Sequence, residues 1–355
     1  MTSPATTGQL PGYEVTSVEA WLREHVPSLK HPLEWTRLEG GHSNLTYMLR
    51  DVNGAQAVIR RPPQGELLPK AHDMGREWSL ISALGNTSVP VPRAYGFCED
   101  KSVTGAHFYV MGFVDGHPLY TAEDTERWLP ESNRQRFGES FIDVLADLHS
   151  VDPDEVGLGD LGKKEDYIGR QLKTWYKSWN SSIADAKYDD PRAHDIQKYL
   201  LENTPDQGPA RVVHGDYGTH NVLVGTTGAI AAVVDWEIST LGDPLADLAY
   251  ALNQWTEPGD PIPFRAHPAT ALPGFHTRAQ LEARYAKRTG RDLSKLDFYV
   301  AFNRWKSAAI IHGVYARYMA GKKSTEGVDM ESMRARIESF LVLSEEAVNR
   351  LEKRG

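Results

Sequence analysis

Two aspartates and one asparagine in the middle of the chain have the spacing that phosphoryl transfer requires. Asp216 stands five residues before Asn221, and Asp235 ends the apolar segment that follows. Carboxylate and amide oxygens are hard ligands of the kind that Mg²⁺ prefers, and Mg²⁺ neutralises the charge of a transferred phosphoryl group. We therefore predict that Asn221 and Asp235 bind Mg²⁺. Asp216 is the predicted catalytic residue, which orients an acceptor hydroxyl and accepts its proton.

The residues around this set predict how it is brought together. Apolar segments flank a Gly-rich turn at residues 225–228. Apolar runs on either side of a glycine turn are typical of a β-hairpin. We expect this hairpin to place Asn221 beside Asp235, with Asp216 on the loop just before it. The alternative, a polar loop beside an ordinary hairpin, fits an isolated His-Gly-Asp better than it fits the whole set.

The run from His214 to Asp235 resembles the catalytic segment of the aminoglycoside phosphotransferase and choline kinase superfamily, with His-Gly-Asp in place of the His-Arg-Asp of protein kinases. Further stretches resemble most closely the kinase-like domain that is associated with acyl-CoA dehydrogenases. Together they span the chain from about Leu33 to its C-terminus. These stretches are residues 60–65, 71–77, 89–92, 108–116, 167–175, 299–302 and 310–317.

The resemblance implies an α+β, bilobal protein-kinase-like fold. Residues 1–113 would form an N-terminal nucleotide-binding lobe, built from an antiparallel sheet and one main helix, with residues 1–12 as a disordered tail. Residues 114–355 would form a mostly helical C-terminal lobe that carries the catalytic loop and the acceptor site. The implied cofactors, ATP and Mg²⁺, would lie between the two lobes.

The resemblance also assigns residues to the nucleotide. Arg60 takes the position of the kinase lysine that holds phosphate, and Glu77 is its expected partner. Arginine is always charged and can contact two phosphate oxygens, although it is larger than lysine. The alternatives are a solvated strand end for Arg60, a helix-surface pair for Glu77 and a plain β-turn for the Gly-rich loop, which lacks a third glycine. The other nucleotide-binding candidates belong to two segments. They are Gly40, Gly41, Ser43 and Asn44 of the Gly-rich loop, and Met111 and Phe113 of the predicted hinge between the two lobes.

Two predicted helices carry a mixture of basic and aromatic residues that would suit an anionic acceptor. If they line one cleft, a hydroxyacyl-CoA is a fitting acceptor, which agrees with the resemblance to domains linked to acyl-CoA dehydrogenases. The alternative is that the tryptophan belongs to the core and that the arginines are solvated or paired with acids. The candidate acceptor-binding residues are Arg170, Gln171, Trp175, Arg304 and Arg317, with Lys306 beside them.

Other functions stay open. An aminoglycoside kinase needs an acidic pocket for amines, and a choline-type kinase uses aromatic faces with acids to bind a quaternary ammonium. A nucleotide-binding pseudokinase without turnover is supported only by Arg60 and the incomplete Gly-rich loop. A metal hydrolase is disfavoured because His214 and His220 lack the His-Glu-x-x-His spacing.

The composition is ordinary for a globular protein. The chain has 355 residues, and its 48 acidic and 39 basic residues give a net charge of −9, which argues against a protein that coats nucleic acid. The lone Cys98 cannot form an intrachain disulfide, which fits a reducing compartment. The chain shows neither a long apolar run nor the features of a signal peptide. We expect a cytoplasmic protein that takes a small-molecule acceptor and binds neither nucleic acid nor a membrane, and we leave a homodimer open.

Hydrophobic periodicity and turn residues predict the elements that position these groups. Thr16 and Glu19 have the spacing of a capping box. Asp243 is expected to begin a helix in which Asp247 binds loop backbone, and His149 is expected to be buried or to lie at a helix end. Strands are predicted at residues 35–39, within 40–50, and at 55–60, 94–98, 107–113 and 211–214. Helices are predicted at residues 18–26, 71–84, 140–149, 166–179, 277–289, 297–320 and 329–353.

Overall fold

The structure is a computed structural model that describes residues 10–38, 44–65, 73–260 and 268–353. The strands of its N-terminal part are β1 (Glu34–Arg37), β2 (Leu45–Arg50), β3 (Gln56–Arg61), β4 (Ala94–Cys98) and β5 (Phe108–Gly112). They form one sheet in the order β1-β2-β3-β5-β4, and every neighbouring pair is antiparallel. The predicted antiparallel sheet is therefore confirmed. Residues 1–9 of the predicted tail lie outside the described residues.

The turn between β2 and β3 sets the register of the central strands. The Asp51 carboxylate accepts hydrogen bonds from the backbone N–H groups of Asn53 and Ala55, each at 2.8 Å. Gly54 adopts a φ of +86°, which glycine reaches at little cost because it has no Cβ. The strands that leave this turn pair along their whole length, and the pairing carries Arg60 to the far end of β3.

Different helices cover the two faces of the sheet. They are α1 (Val15–His25) and α2 (Met74–Leu84). Buried residues of α1 share a hydrophobic cluster with strand residues such as Tyr47 and Ile59. Buried residues of α2 belong to a second cluster, which continues into the C-terminal part of the chain. The helix that carries Glu77 thus shares a core with the helical part.

Part of the predicted disordered tail, residues 10–12, is ordered, and here the prediction is wrong. Leu10 and Tyr13 are buried in the cluster that also holds α1, and they form an isolated β-bridge with each other. The carbonyl oxygen of Gly12 accepts a hydrogen bond from the buried guanidinium of Arg61. These tertiary contacts order a segment whose own sequence carries no helix or strand pattern.

The rest of the described chain is mostly helical, as predicted. Its helices are α3 (Ala122–Trp128), α4 (Glu131–Ser150), α5 (Tyr167–Ala186), α6 (Pro191–Glu202), α7 (Pro244–Gln254), α8 (Arg278–Thr289), α9 (Leu296–Met319) and α10 (Met330–Glu352). Its strands are β6 (Arg211–Val213), β7 (Val222–Val224), β8 (Ile230–Val233) and β9 (Thr240–Gly242). β6 pairs with β9 and β7 pairs with β8, both antiparallel. Across the described ranges, no helix combines the length and apolar character needed to cross a membrane.

Several elements differ from the predictions. The sequence patterns do not predict α3, α6 or β9, and α3 with 7 residues and β9 with 3 are too short to show a hydrophobic period. α4 begins at Glu131 rather than at residue 140, and α5 continues to Ala186. α1 begins before Thr16, and its N-cap makes no side-chain hydrogen bond, so the predicted capping box with Glu19 does not form.

α9 is the central helix of the C-terminal part and packs against α5, α7 and α10. Trp305 is fully buried, and its indole N–H donates to the carbonyl oxygen of Ala193 in α6 at 2.8 Å. The Asn303 side chain donates to the carbonyl oxygen of Ala246 in α7 at 2.7 Å. α9 therefore ties α6 to α7, the helix that lies against the catalytic segment.

Replacing Trp305 should reveal how much of the stability depends on this helix. Trp305→Ala leaves a cavity and an unpaired carbonyl group, so the free energy of unfolding should fall by ~3–5 kcal/mol. Urea denaturation followed by circular dichroism measures the change. Lys177→Ala, at an exposed position on α5, is the control and should shift it by less than ~0.5 kcal/mol. An equally small loss in Trp305→Ala would contradict a central role for α9.

Candidate active site

The predicted hairpin is confirmed, and it brings the two predicted metal ligands to the same end. β7 and β8 pair with Val222 opposite Val233. One position further, the backbone N–H of Val234 donates to the carbonyl oxygen of Asn221 at 2.9 Å. Asn221 and Asp235 therefore leave the hairpin side by side.

Asp216 lies on the loop between β6 and β7, and three side chains hold it. Its Oδ1 accepts a 2.5 Å hydrogen bond from the Tyr250 hydroxyl. Its Oδ2 lies 3.3 Å from His220 Nε2 and accepts a hydrogen bond from Asn221 Nδ2 at 3.1 Å. Burial would raise the pKa of Asp216, but the His220 and Tyr250 side chains lower it to about 2. The carboxylate is therefore ionised at neutral pH and fixed in orientation, with 32% of the side chain exposed.

One face of α7 braces the catalytic loop. Buried Asp247 accepts hydrogen bonds from the backbone N–H groups of His214 at 2.7 Å and Gly215 at 2.9 Å, and buried His149 lies 3.3 Å from the same carboxylate. Burial would raise the pKa of Asp247, but His149 and His214 lower it. The predicted role of Asp247 in binding loop backbone is confirmed, as is the burial of His149. Tyr250 follows three residues later and therefore lies on the same face of the helix.

Arg60 joins the sheet to the catalytic segment. Its Nη2 donates to Asp235 Oδ1 at 2.7 Å, and its Nε lies 3.4 Å from Glu77 Oε2. Glu77 is almost fully buried and also accepts a hydrogen bond from the Tyr109 hydroxyl at 2.8 Å. The predicted pairing of Arg60 with Glu77 is present. The additional contact with Asp235 links a predicted phosphate-binding residue to a predicted metal ligand.

Asp235 has an uncommon backbone conformation. Its φ of +66° lies in the left-handed region, which few residues other than glycine adopt. Such conformations cost about 1–3 kcal/mol each and cluster at functional sites, where the surrounding structure holds them. The Arg60 contact fixes this carboxylate while 35% of its side chain stays exposed. Asp235 is thus both constrained and accessible to a ligand.

A second contact between α2 and the helical part comes from Arg76, the residue before Glu77. Its guanidinium donates to the carbonyl oxygen of Ser239, with Nε at 2.8 Å. The Ser239 hydroxyl in turn donates to the carbonyl oxygen of His214 at 3.0 Å. α2 is therefore connected to the start of the catalytic loop as well as to Asp235.

Sequence reasoning missed the role of Arg76 and two of the three side chains that hold Asp216, namely Tyr250 and His220. Arg76 lies in a stretch that resembles the family, but nothing local shows that it reaches Ser239. Tyr250 carries a usable signal, since a residue three positions after Asp247 shares its helix face.

The other nucleotide-binding candidates are only partly described. Asn44 Nδ2 lies 3.5 Å from Glu77 Oε1. Met111 is buried in β5, and half-buried Phe113 packs against the core cluster that both parts share. The predicted contacts of these residues with nucleotide stay predictions. Gly40, Gly41 and Ser43 lie outside the described residues.

The predicted acceptor residues on α5 contact other parts of the protein. Arg170 donates to the carbonyl oxygen of Lys163 at 2.9 Å. The indole N–H of Trp175 donates to Gln171 Oε1 at 3.0 Å, and the half-buried Trp175 ring packs against the core. These contacts fit the alternative that Trp175 belongs to the core, and an acceptor role for the three residues stays a prediction.

The predicted acceptor residues on α9 lie apart from one another. Arg304 Nε donates to Asn253 Oδ1 at 3.2 Å, and its Nη1 donates to the carbonyl oxygen of Leu343 at 3.3 Å. Burial, together with nearby arginines, lowers the pKa of Arg304 to about 10. Arg317 is exposed in the last turn of the helix. No hydrogen bond or ion pair within the described ranges joins either arginine to Asp216.

The donor set at the end of the hairpin fits Mg²⁺ carried by a triphosphate. No group of three or more His, Cys, Asp or Glu residues in the described part of the chain could hold a metal ion alone. Asn221 uses its amide nitrogen for Asp216, so its Oδ1 stays available as a ligand, and Asp235 uses only Oδ1 for Arg60. Mg²⁺ in nucleotide sites takes one or two protein ligands and completes its octahedron with phosphate and water. The two side chains are therefore chemically suitable.

Comparison with known proteins identifies the class. The profile of a phosphotransferase enzyme family matches residues 34–285, and this chain belongs to that family. The mouse protein named acyl-CoA dehydrogenase family member 10 is 35% identical over 299 residues, which are 83% of this chain and 27% of the relative. The chain thus spans about a quarter of that relative's length, and the predicted resemblance to domains associated with acyl-CoA dehydrogenases is confirmed.

Solved structures establish the fold. A Ralstonia eutropha protein, assigned provisionally as an aminoglycoside phosphotransferase, has 30% identity and a TM-score of 0.78 over 94% of this chain and 99% of that chain. Choline kinase from Cryptosporidium parvum has a TM-score of 0.62 at 13% identity, over 95% and 97% of the two chains. The predicted bilobal protein-kinase-like fold is confirmed, whereas the predicted boundary between residues 113 and 114 stays a prediction.

Glu77 should make stability depend on pH. Burial raises the pKa of Glu77 to about 7, against the opposing effects of Arg60 and Tyr109. A carboxyl group with a higher pKa in the folded than in the unfolded state stabilises the protein at low pH, and this contribution is lost as the pH rises from about 4.5 to about 7. We therefore compare the free energy of unfolding of the wild type with that of Glu77→Gln. The wild-type value minus the variant value should be ~2 kcal/mol lower at pH 8 than at pH 5.

Parallel urea titrations of the two proteins at both pH values provide the measurement. The difference between the proteins cancels the titration of the other groups. A difference that stays constant between pH 5 and pH 8 would show that the pKa of Glu77 is not raised.

Proposed function

We propose that the protein transfers the γ-phosphoryl group of ATP to a hydroxyl group of a small molecule. The main support for this proposal is a set of hydrogen bonds at the end of the hairpin. They link the residues Arg60, Asp235, Asn221 and Asp216. Family membership supports a phosphotransferase. The nucleotide and the acceptor hydroxyl are the parts of the proposal that go beyond that class.

Asp216 is proposed to position the acceptor. Its fixed carboxylate accepts a hydrogen bond from the acceptor hydroxyl and turns the oxygen lone pair toward the γ-phosphorus. With a pKa of about 2, Asp216 is a weak base, so its main contribution is orientation. This suffices because the loose transition state of phosphoryl transfer makes little demand for early proton removal. The hydroxyl proton passes to Asp216 as the new O–P bond forms and the bond to ADP breaks.

Asn221 and Asp235 are proposed to hold Mg²⁺ through Asn221 Oδ1 and Asp235 Oδ2. The bound ion would neutralise charge on the phosphate oxygens. Arg60 is proposed to contact phosphate through its guanidinium, which Glu77 and Asp235 keep aimed at the site. The residues of the Gly-rich loop and hinge named above would complete the nucleotide site.

A hydroxyacyl-CoA is the proposed acceptor. The relative named for acyl-CoA dehydrogenase supports it, because a kinase-like segment joined to such an enzyme would act on related thioesters. The basic residues of α5 and α9 suit the negative charge of CoA. An aminoglycoside acceptor is the second candidate, favoured by the name of the Ralstonia eutropha structure. A choline-type acceptor, a homodimer and a cytoplasmic location stay predictions.

Replacing the proposed catalytic carboxylate separates chemistry from binding. Asp216→Asn keeps the size of the side chain but removes the charge that orients the hydroxyl and takes up its proton, so kcat should fall by ~10²–10⁴-fold. Affinity for Mg·AMP-PNP, measured by calorimetry, should stay within about threefold, since Asp216 lies off the proposed metal site. Asp195→Asn, on the exposed face of α6, is the matched control and should behave as wild type. Full turnover by Asp216→Asn would remove Asp216 from the mechanism.

An ATP-consumption screen identifies the acceptor class. The panel contains hydroxyacyl-CoAs, aminoglycosides and choline-like alcohols, and mass spectrometry verifies the phosphorylated product. Phosphorylation of a hydroxyacyl-CoA is the expected result. Tight binding of Mg·nucleotide without transfer to any alcohol would instead establish a pseudokinase.

A further inference from the structure

Lys306 on α9 is a cation without a bonded partner beside the proposed catalytic carboxylate. Its Nζ lies 6.0 Å from the centre of the Tyr250 ring, and the Tyr250 hydroxyl donates to Asp216 Oδ1. Within the described ranges, no hydrogen bond or ion pair to Lys306 Nζ is present. Arg304, two residues earlier on the same helix, donates to the Asn253 side chain and to the Leu343 carbonyl oxygen instead. Lys306 thus differs from its basic neighbour in having its donors unused.

The surroundings of Lys306 make an unused ammonium costly. Burial lowers the pKa of Lys306, while the negative charges of Asp247 and Asp216 oppose this effect. A half-buried charge that makes no hydrogen bond loses part of its hydration without replacement. A ligand oxygen that accepts a hydrogen bond from Nζ would compensate for the lost hydration. Binding of such a ligand at this position is therefore favourable.

Lys306 is linked to Asp216 through Tyr250, and the proposed metal ligand Asn221 contacts the other oxygen of that carboxylate. Asn221 donates to Asp216 Oδ2, whereas Tyr250, whose ring centre lies 6.0 Å from Lys306 Nζ, donates to Oδ1. Phosphate bound through Asn221 and Asp235 would therefore approach from the Oδ2 side. Lys306 is better placed to contact the acceptor than the transferred phosphoryl group.

Other residues around Asp216 also suit an acceptor that is partly polar and partly apolar. Gln254 Nε2 is buried without a hydrogen-bond partner among the described residues. It lies close to Gly218, as does the His220 ring. Ile238 packs over Gly215 yet is 53% exposed. One unused amide donor and one exposed apolar side chain therefore flank the loop that carries Asp216.

We propose that Lys306 determines acceptor specificity by binding a carbonyl oxygen, of a carboxylate or of a thioester, that lies a few bonds from the hydroxyl held by Asp216. This inference rests on the proposed function and names the acceptor class as hydroxyacyl compounds. The ammonium donates to the carbonyl oxygen, and this contact sets the position of the chain between that oxygen and the hydroxyl. Simple alcohols of the same length lack the oxygen and gain nothing from Lys306.

Matched acceptors and a neutral variant test the proposal. The acceptors are a series of hydroxy acids, their CoA thioesters and alcohols of the same carbon number without the carbonyl group. The proteins are the wild type, Lys306→Met, which removes the charge with little change in length, and Lys177→Met, at an exposed position on α5. Phosphorylated product is quantified by mass spectrometry, and kcat and KM are determined separately for each pair.

We expect Lys306→Met to lower kcat/KM for the best carbonyl-bearing acceptor by ~10- to 100-fold, mainly through KM, because one hydrogen bond to a charged group is lost. The ratio of kcat/KM for the carbonyl-bearing acceptor to kcat/KM for the matched alcohol should fall by the same factor in Lys306→Met. Lys177→Met should keep the wild-type ratio. Preference for the acid or for the thioester in the wild type decides which of the two sources supplies the oxygen. Affinity for Mg·AMP-PNP should change by less than about threefold in Lys306→Met.

Three outcomes would overturn the inference. If Lys306→Met lowers kcat/KM equally for the carbonyl-bearing acceptor and the alcohol, Lys306 acts on the structure or on phosphate and not on specificity. If the wild type phosphorylates aminoglycosides or choline but no hydroxyacyl compound, the inference fails while the proposed kinase activity stands. If the wild type transfers phosphate to no alcohol at all, the proposed function fails and this inference fails with it.

Discussion

The placement of Arg60 between Glu77 and Asp235 is the constraint on which the site depends. One guanidinium, 12% exposed, contacts a carboxylate of α2 and a carboxylate that follows the β7–β8 hairpin. A charge this deeply placed needs carboxylate partners, since their loss would leave it buried and uncompensated. The ion pairs therefore fix the sheet, α2 and the catalytic segment relative to one another before any ligand binds. Asp235, whose carboxylate is held by this contact, also has a left-handed backbone conformation.

Two further sets of contacts extend this constraint to Asp216. From one side, Arg76 of α2 reaches the Ser239 carbonyl, and Ser239 reaches His214 at the start of the catalytic loop. From the other side, α7 fixes the loop backbone through Asp247 and fixes the Asp216 carboxylate through Tyr250. α9 packs against α7 and carries Lys306. Among the described residues, Arg60, Asp216, Asp235 and Lys306 thus each lie on, or are held by, a helix or strand that is anchored in the core.

The sequence predicted the parts of this site that depend on local pattern. The hairpin, the pairing of Arg60 with Glu77 and the backbone-binding role of Asp247 follow from short-range spacing or from family resemblance, and the structure contains all three. The contacts that cross the chain could not be predicted in this way. Tyr250 is separated from Asp216 by 34 residues, and Arg76 from Ser239 by 163, so only tertiary packing brings them together.

Tertiary contacts also explain why residues 10–12 were predicted wrongly. Residues 10–12 carry no element pattern, and they are ordered only because Leu10 and Tyr13 find a cluster of distant residues. The predicted acceptor set has a different weakness, since helical position alone does not show which basic residues are already paired. Arg304 donates hydrogen bonds to its neighbours, whereas Lys306 Nζ lies against the Tyr250 ring, and this difference follows from tertiary packing.

The central claim is that Asn221 and Asp235 bind a magnesium ion that nucleotide carries. The most direct test is calorimetric titration of AMP-PNP with and without Mg²⁺ into the wild type and Asp235→Asn. The account predicts that Mg²⁺ tightens binding to the wild type by at least ~10-fold and that this gain falls below ~3-fold in the variant, since the coupling between metal and nucleotide passes through Asp235. An equal gain from Mg²⁺ in both proteins would contradict the account.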